Sequence, residues 1–465
     1  MPKILVTPMK QFGTICFCVF VSFASARAQS VDLIFANYQQ ANQLCVSDGL
    51  ASFQCDDSAA GMESSTGAAS GLFDSDQLVD VVFSNIDEPN RFCSNLGDRT
   101  FACSDVAPGA GASRAVVAGD FDEDGSLDAV FARYLARNQI CFGDGSGGFT
   151  CSDVSALARS TIGLVAADLN NDTHLDVAFS NSGEPNTVCL NDGTGTFACS
   201  DVSVDSHMNQ RVAVGDFDGD GTLDLVFAAQ HQASTICLAD GEGGYVCDVV
   251  ENGAYPTFGV AASDLDDDGD VDIAFGINHL PDRVCLNDGA GSFECGTVDG
   301  VSRFSMDVMV LDVDSNGTQD LVFAVRDGRN QVCLGDGAGA FTCQDIDEND
   351  SATLAMAAAD FGEYPSSAGA EGSFAQLPDS YRLDANYPNP FNPSTTIPFE
   401  LERPATVTLA VYDELGRQVA IVADGSFGSG RHEIGFDARD MPSGLYLYRL
   451  STPEGSVSRT MLLMK

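Results

Sequence analysis

From Asp32 to Phe361 the chain alternates short apolar runs with two kinds of polar break, one acidic and one glycine-rich, always in the same order. One stretch shows the pattern. Arg211-Val-Ala-Val-Gly is followed by the acidic loop Asp216-Phe-Asp-Gly-Asp-Gly-Thr-Leu-Asp224 and the run Leu225-Val-Phe-Ala. Two further runs, Ser234-Thr-Ile-Cys-Leu and Gly244-Tyr-Val-Cys-Asp-Val, flank the turn Ala239-Asp-Gly-Glu-Gly. Runs this short and this rich in β-branched and aromatic residues predict strands, and no stretch keeps a 3.6-residue period long enough for a helix. The glycine-rich turn predicts an antiparallel hairpin.

The pattern is periodic. Asp32, Asp80, Asp128, Asp176, Asp224, Asp272 and Asp320 open the same phrase, each 48 residues after the last. A period of this size marks propellers and solenoids, whose units bury their faces only against neighbours. Four antiparallel strands per period predict a propeller blade. The array begins mid-unit at Asp32 and ends with Leu354-Ala-Met-Ala-Ala-Ala-Asp360-Phe, the part that the first copy lacks. Pairing the two fragments would close a ring without exposed sheet edges. The expectation is an all-β chain with a seven-bladed β-propeller over residues 29–361, one blade being composite.

Each acidic loop carries oxygen ligands at positions 1, 3, 5 and 9, with glycine at 6. The sets are Asp120, Asp122, Asp124 and Asp128; Asp168, Asn170, Asp172 and Asp176; Asp216, Asp218, Asp220 and Asp224; Asp264, Asp266, Asp268 and Asp272; and Asp312, Asp314, Asn316 and Asp320. Alternate residues of a tight turn aim at one centre and a backbone carbonyl at position 7 adds a ligand, so a hard cation, calcium, is expected at about five sites. The third loop has Thr173 in place of glycine. The earliest loop has Leu72 at position 1 and keeps Asp74, Asp76 and Asp80, while the composite unit splits its loop between Asp360 and Asp32. An EF-hand is excluded, because position 12 is Phe227 or Phe275 within a strand run.

These loops, the Asp-Leu-Val-Phe-Ala phrases and the turns Leu190-Asn-Asp-Gly-Thr-Gly-Thr-Phe197 and Leu286-Asn-Asp-Gly-Ala-Gly-Ser-Phe293 resemble the FG-GAP and VCBS repeats of integrin-like propellers. The resemblance implies a calcium-braced propeller used in adhesion or ligand recognition.

Fourteen cysteines form pairs ten residues apart across the glycine-rich turns: Cys45 and Cys55, Cys93 and Cys103, Cys141 and Cys151, Cys189 and Cys199, Cys237 and Cys247, Cys285 and Cys295, Cys333 and Cys343. Hairpin arms facing across such a turn bring the sulfurs together, whereas zinc sites use short C-x-x-C knuckles, so seven local disulfides are expected. An oxidising destination agrees with residues 1–28, where Lys3 and Lys10 precede an apolar stretch and the small-residue site Ala26-Arg-Ala28: a signal peptide, too short to span a membrane. The formal charge is −46. Removing Lys3, Lys10 and Arg27 makes the chain still more acidic, and nucleic acid is excluded as a partner.

After Phe361 the repeats stop. Residues 362–376 are rich in glycine, serine and alanine and predict a flexible linker. From Leu377 to Lys465, alternating runs such as Ala405-Thr-Val-Thr-Leu-Ala-Val-Tyr412 and Gly444-Leu-Tyr-Leu-Tyr-Arg-Leu450 predict a small β-sandwich. Asn386-Tyr-Pro-Asn-Pro-Phe-Asn-Pro393, Val411-Tyr-Asp-Glu-Leu-Gly-Arg417, Gly430-Arg-His-Glu-Ile434, Ser443-Gly-Leu-Tyr446 and Lys465 resemble the type A, Ig-like C-terminal sorting domain of type IX secretion. That resemblance implies export across a Gram-negative outer membrane, removal of the domain, and a secreted or surface-anchored repeat region.

Catalytic signatures are missing. Gly143-Asp-Gly-Ser-Gly-Gly148 fits G-x-G-x-x-G but is the hairpin turn of every repeat with no helix behind it. The five histidines are scattered singly, and no nucleophile elbow emerges. The expectation is a non-enzymatic module that binds an extracellular glycan or protein; the alternatives are a structural surface or matrix protein and a polysaccharide-active enzyme. Its binding face should lie opposite the acidic loops, on blade connections such as Tyr255-Pro-Thr-Phe258, with Tyr255, Phe258 and Arg303 as anchors.

Overall fold

A computed structural model describes residues 31–361, with short breaks, and much of 381–463. The signal peptide 1–28, Asp360, the linker 362–376 and the run 386–392 lie outside the described residues, as do Arg417, Ser443 and Lys465. The described residues are strands and turns with no helix, and they fall into two compact units.

Each repeat of the first unit is a four-stranded antiparallel sheet. In one, the end of strand Phe149–Ala167 pairs with Asp176–Asn181, which pairs with Thr187–Asn191, which pairs with Phe197–Asp201. Burial falls outward: Asp176–Asn181 is buried throughout, whereas Phe197–Asp201 is mostly exposed. A strand covered on both faces needs no polar alternation, and this is why Val177-Ala178-Phe179 reads as a continuous apolar run. The core lies between sheets. One cluster unites Phe121, Val130 and Ile140 with Val177, Phe179 and Cys189 of the following repeat.

Neighbouring repeats are joined by recurrent contacts. Asn191 Nδ2 donates to the Phe121 carbonyl and Asn287 Nδ2 to the Phe217 carbonyl, each at 2.8 Å, and the rings of Phe121 and Phe197, and of Phe217 and Phe293, meet between adjacent repeats. The same contacts join the two ends of the array. Asn95 Nδ2 donates to the Phe361 carbonyl at 3.1 Å, and the Phe101 and Phe361 rings meet edge to face. Strand Ser351–Ala359 pairs with Asp32–Ser47 from Asp32 opposite Ala359 to Asn37 opposite Thr353. The composite sheet predicted from the two fragments is therefore formed.

The second unit is a sandwich. One sheet contains Tyr381–Leu383, Ser394–Leu401 and Gly430–Asp437, and the other Gln418–Phe427, Ala405–Tyr412, Gly444–Thr452 and Gly455–Leu463. Alternate residues of facing strands, among them Ile397, Phe399, Val407, Leu409, Tyr448 and Leu450, form its core.

Candidate metal loops and a shared cavity

In each repeat except the composite one the acidic loop links the first and second strands, and its conformation follows from the carboxylates themselves. In the loop after strand Ser113–Gly119, Asp120 Oδ1 accepts from the Asp124 N–H and Oδ2 from the Gly125 N–H, Asp122 accepts from the Asp124 N–H, and Asp124 accepts from the Ser126 N–H. The loops at Asp216 and Asp312 repeat these bonds. Such side-chain turns curl the chain around its own oxygens. Position 6 needs a left-handed backbone: φ is +92° at Gly125, +96° at Gly269 and +93° at Gly317. Thr173 takes φ 78° there, although it is β-branched.

Position 9 does a second job. Asp128 is fully buried, its Oδ2 accepting from the Phe121 N–H and its Oδ1 from the Gly143 N–H, both at 2.9 Å. Asp176, Asp224, Asp272 and Asp320 make the equivalent bonds and tie the acidic loop to the third strand. Asp80 does the same through the Phe73 and Asn95 N–H groups. Burial pushes these carboxyls up, the backbone donors pull them down, and the loop aspartates raise them again. The outcome is about 6 for Asp128, Asp176 and Asp320 and about 7 for Asp80, Asp224 and Asp272.

Three carboxylates converge in each of several loops. Ligand oxygens of Asp120, Asp122 and Asp128 lie within 4.8 Å of one another, as do those of Asp216, Asp218 and Asp224 and of Asp74, Asp76 and Asp80. Burial and mutual repulsion raise Asp218 and Asp266 above the ordinary carboxylate range. Asp264 Oδ1 is buried with no hydrogen-bond partner. An all-oxygen, anionic donor set with an unsatisfied buried oxygen fits a hard divalent cation. The incomplete loop differs, since Ser94 Oγ donates to Asp74. In the composite unit the Arg99 guanidinium stands 3.5 Å from Asp32 Oδ2, so the protein supplies its own positive charge there.

All seven cysteine pairs are disulfides, with Cα atoms 3.8 to 4.0 Å apart and the two residues directly opposite in each outer hairpin.

The first strands of all seven sheets line one cavity of about 220 Å³. Its walls carry small residues such as Gly67, Ala115 and Ala355, but the equivalent positions 48 residues apart also hold Arg211 and Asp307. Arg211 Nε lies 3.7 Å from Asp307 Oδ1, and the guanidinium donates to the Ile162 and Leu354 carbonyls. A second cavity of about 200 Å³, sharing Arg211, is lined by the residues one step earlier on the same strands, among them Arg114, Phe258 and Met306, together with Arg326. Because these strands run toward the acidic loops, this second cavity lies at the opposite end of the sheets.

The three proposed anchors are separated. Tyr255 and Phe258 lie within strand Tyr255–Ser263 rather than in a connecting loop, because Tyr255 extends the ladder by pairing with Gln232. Tyr255 stacks under Arg283, which forks onto Glu251. Arg303 is held by both oxygens of Asp299. Phe258 alone of the three lines the cavity. Sequence reading missed Arg114, Arg211, Asp307 and Arg326; for Arg211 and Asp307 the available signal was charge at a repeat position that is otherwise glycine or alanine, whereas the positions of Arg114 and Arg326 also hold polar residues such as Gln210 and Asn278 and carry no such mark.

The architecture is that of an exported, all-β repeat protein. Residues 73–131, 120–179 and 168–227 match the FG-GAP-like repeat, and residues 385–464 match the secretion system C-terminal sorting domain. The chain thus carries FG-GAP-like repeats followed by a type IX sorting domain, which indicates export to the cell surface or beyond. No curated protein matches the chain. Among solved structures it is similar to the V. cholerae biofilm matrix protein Bap1, at 12% identity and a TM-score of 0.35, over 76% of this chain and 67% of that one. No helix among the described residues is long and apolar enough to cross a membrane.

Proposed function

We propose that the repeats form a closed seven-bladed propeller, braced by calcium, that serves outside the cell as a non-catalytic adhesion or matrix-recognition module. The observation that carries closure is arithmetical. The Asn-to-Phe hydrogen bond spans 70 residues between internal repeats and 266 between the ends of the repeat array, and the two separations together make 336, or seven periods of 48. The glutamate or glutamine oxygen that accepts an N–H from the neighbouring strand behaves alike, spanning 24 residues at Glu184 and 312 at Gln40. Calcium is supported by the convergent carboxylates, and the extracellular setting by the sorting domain and the disulfides. The sorting domain would engage the type IX machinery of a Gram-negative outer membrane and be removed on export, leaving the repeats secreted or surface-anchored.

Metal analysis of protein stripped with chelator and dialysed against calcium tests the bracing. About five ions per chain are expected, together with a calcium-dependent rise in unfolding temperature. Fewer than about three would sink the proposal. A glycan and matrix-protein binding screen with and without calcium tests recognition, and hydrolysis or elimination of a polysaccharide in the same screen would favour an enzyme instead. Deleting residues 377–465 should leave the repeats inside the cell envelope, as read by fractionation. Normal export of the truncated chain would refute the sorting role.

A further inference from the structure

The chain has 68 acidic side chains against 22 lysines and arginines, yet three arginines line one cavity of about 200 Å³. We propose that this cavity, at the end of the sheets opposite the acidic loops, binds an acidic saccharide through its carboxylate group. The inference rests on the reading of the repeats as a recognition module.

The three arginines are not equivalent. Arg211 is neutralised by Asp307 and anchored on two carbonyls, so it forms the floor. Arg114 and Arg326 supply the charge. Arg114 stacks over Tyr134 with its guanidinium carbon 5.0 Å from the ring centroid, and Arg326 over Phe304 at 5.5 Å. A guanidinium stacked by its face keeps its N–H edge for a planar anion, which it grips with two parallel hydrogen bonds. Among the described residues Arg114 makes no ion pair, and its Nε is buried without a hydrogen-bond partner. The ion pair of Arg326 is with Asp327, at 3.7 Å on the exposed side.

The remaining wall suits a sugar. Phe258 and Met306 line the cavity, and Phe258 meets Phe304 edge to face at 5.9 Å, which holds its ring in place. A fixed aromatic ring offers a flat apolar surface to the C–H face of a pyranose, and polar groups such as Gln210 and Thr66 share the lining. A neutral sugar would leave the Arg114 edge unsatisfied, so discrimination should favour the acid.

Isothermal titration calorimetry of the full chain, in calcium and at low ionic strength, tests this with D-glucuronate, its neutral methyl ester, inorganic sulfate and a triaspartate peptide. Glucuronate should bind at least about tenfold more tightly than its ester. Arg114→Gln and Arg326→Gln should each weaken glucuronate by about tenfold at unchanged unfolding temperature. Phe258→Leu should weaken glucuronate more than sulfate. Should Arg114→Gln fail to fold, Arg326→Gln carries the test, because that side chain is 39% exposed. Equal binding of acid and ester, indifference to both arginine changes, or no binding of glucuronate overturns the proposal. Sulfate binding as tightly as glucuronate would make the cavity a free-anion site, and tighter triaspartate binding a peptide site; either overturns the saccharide assignment. A chain that binds a matrix component in the wider screen but ignores glucuronate defeats this inference alone. A chain that binds nothing in that screen defeats the recognition reading itself.

Discussion

Among the residues that break the repeat, two stand at positions where the neighbouring copies show what fits and what the departure costs. Thr173 holds φ 78° where Gly125, Gly221, Gly269 and Gly317 stand in the other loops. A β-branched residue in the left-handed region costs about 1 to 3 kcal/mol, part of which glycine gives back as greater freedom of the unfolded chain. Thr173→Gly should therefore stabilise the protein by about 1 kcal/mol in urea denaturation; a loss of stability would show that the threonine is held by contacts. Asp282 is the second case. At the equivalent positions Asn42, Asn90, Asn138, Asn186 and Asn330 use a side-chain oxygen to accept the N–H of the residue five before, and Asp282 accepts from Ile277 in the same way. Its other oxygen accepts from Ser305 Oγ, where Asn42 instead donates to Ser65 Oγ. Burial pushes Asp282 up to about 7, against which the Ile277 and Ser305 bonds and the Arg303 charge pull only in part. A carboxyl whose pKa is raised on folding favours the native state when protonated, so its contribution is lost as pH rises from about 4 through about 7. Asp282→Asn should leave stability unchanged near pH 4 and raise it by roughly 1 to 3 kcal/mol at pH 8. Arg303 keeps Asp299 as its partner in that variant. A variant no more stable than the parent at pH 8 would mean that the buried charge is compensated by Arg303.

At the scale of the element, the outer hairpins explain the cysteines. Outermost strands such as Phe197–Asp201 are largely exposed and pair along one edge, so little apolar burial holds them. A disulfide between directly opposed residues supplies what burial does not. Replacing Cys189 and Cys199 by serine should lower stability by about 2 to 3 kcal/mol, by the loop-closure argument. Non-reducing peptide mapping of the native chain should recover local pairs alone. A dominant link between repeats would contradict the hairpin geometry. These elements were legible because each leaves a local mark: buried strands as apolar runs, turns as glycine, cysteine pairs as a spacing of ten. The acidic loops were legible for the same reason, although the clamp formed by position 9 was not, since for Asp176 the partner Asn191 lies 15 residues away on another strand. The cavity was less legible still. Arg114 and Phe258 meet it from strands 144 residues apart in sequence, and Tyr255 and Arg303, whose types also suggest a binding surface, are spent on Arg283 and Asp299.

The whole molecule poses the question of whether the array acts as a ring or as a stack with two ends. In a stack the first and last repeats fray, because each lacks one neighbour, and contacts there contribute little. In a ring every junction is equivalent. Asn191 and Asn95 provide a matched pair for deciding this. Asn191 Nδ2 donates to the Phe121 and Leu175 carbonyls, and Asn95 Nδ2 donates to the Phe361 and Val79 carbonyls. Both side chains are buried. The first asparagine joins two internal repeats and the second joins the chain's beginning to its end, with the same donor, the same kind of acceptor and a similar environment. Removing a buried amide that satisfies two carbonyls costs about 1 to 3 kcal/mol. Asn95→Ala and Asn191→Ala should therefore destabilise by the same amount in calcium-containing buffer, each as one cooperative transition. If the array is open, Asn191→Ala alone should be costly, Asn95→Ala should be silent in global unfolding, and protease should cut first within residues 31–60 of the parent protein.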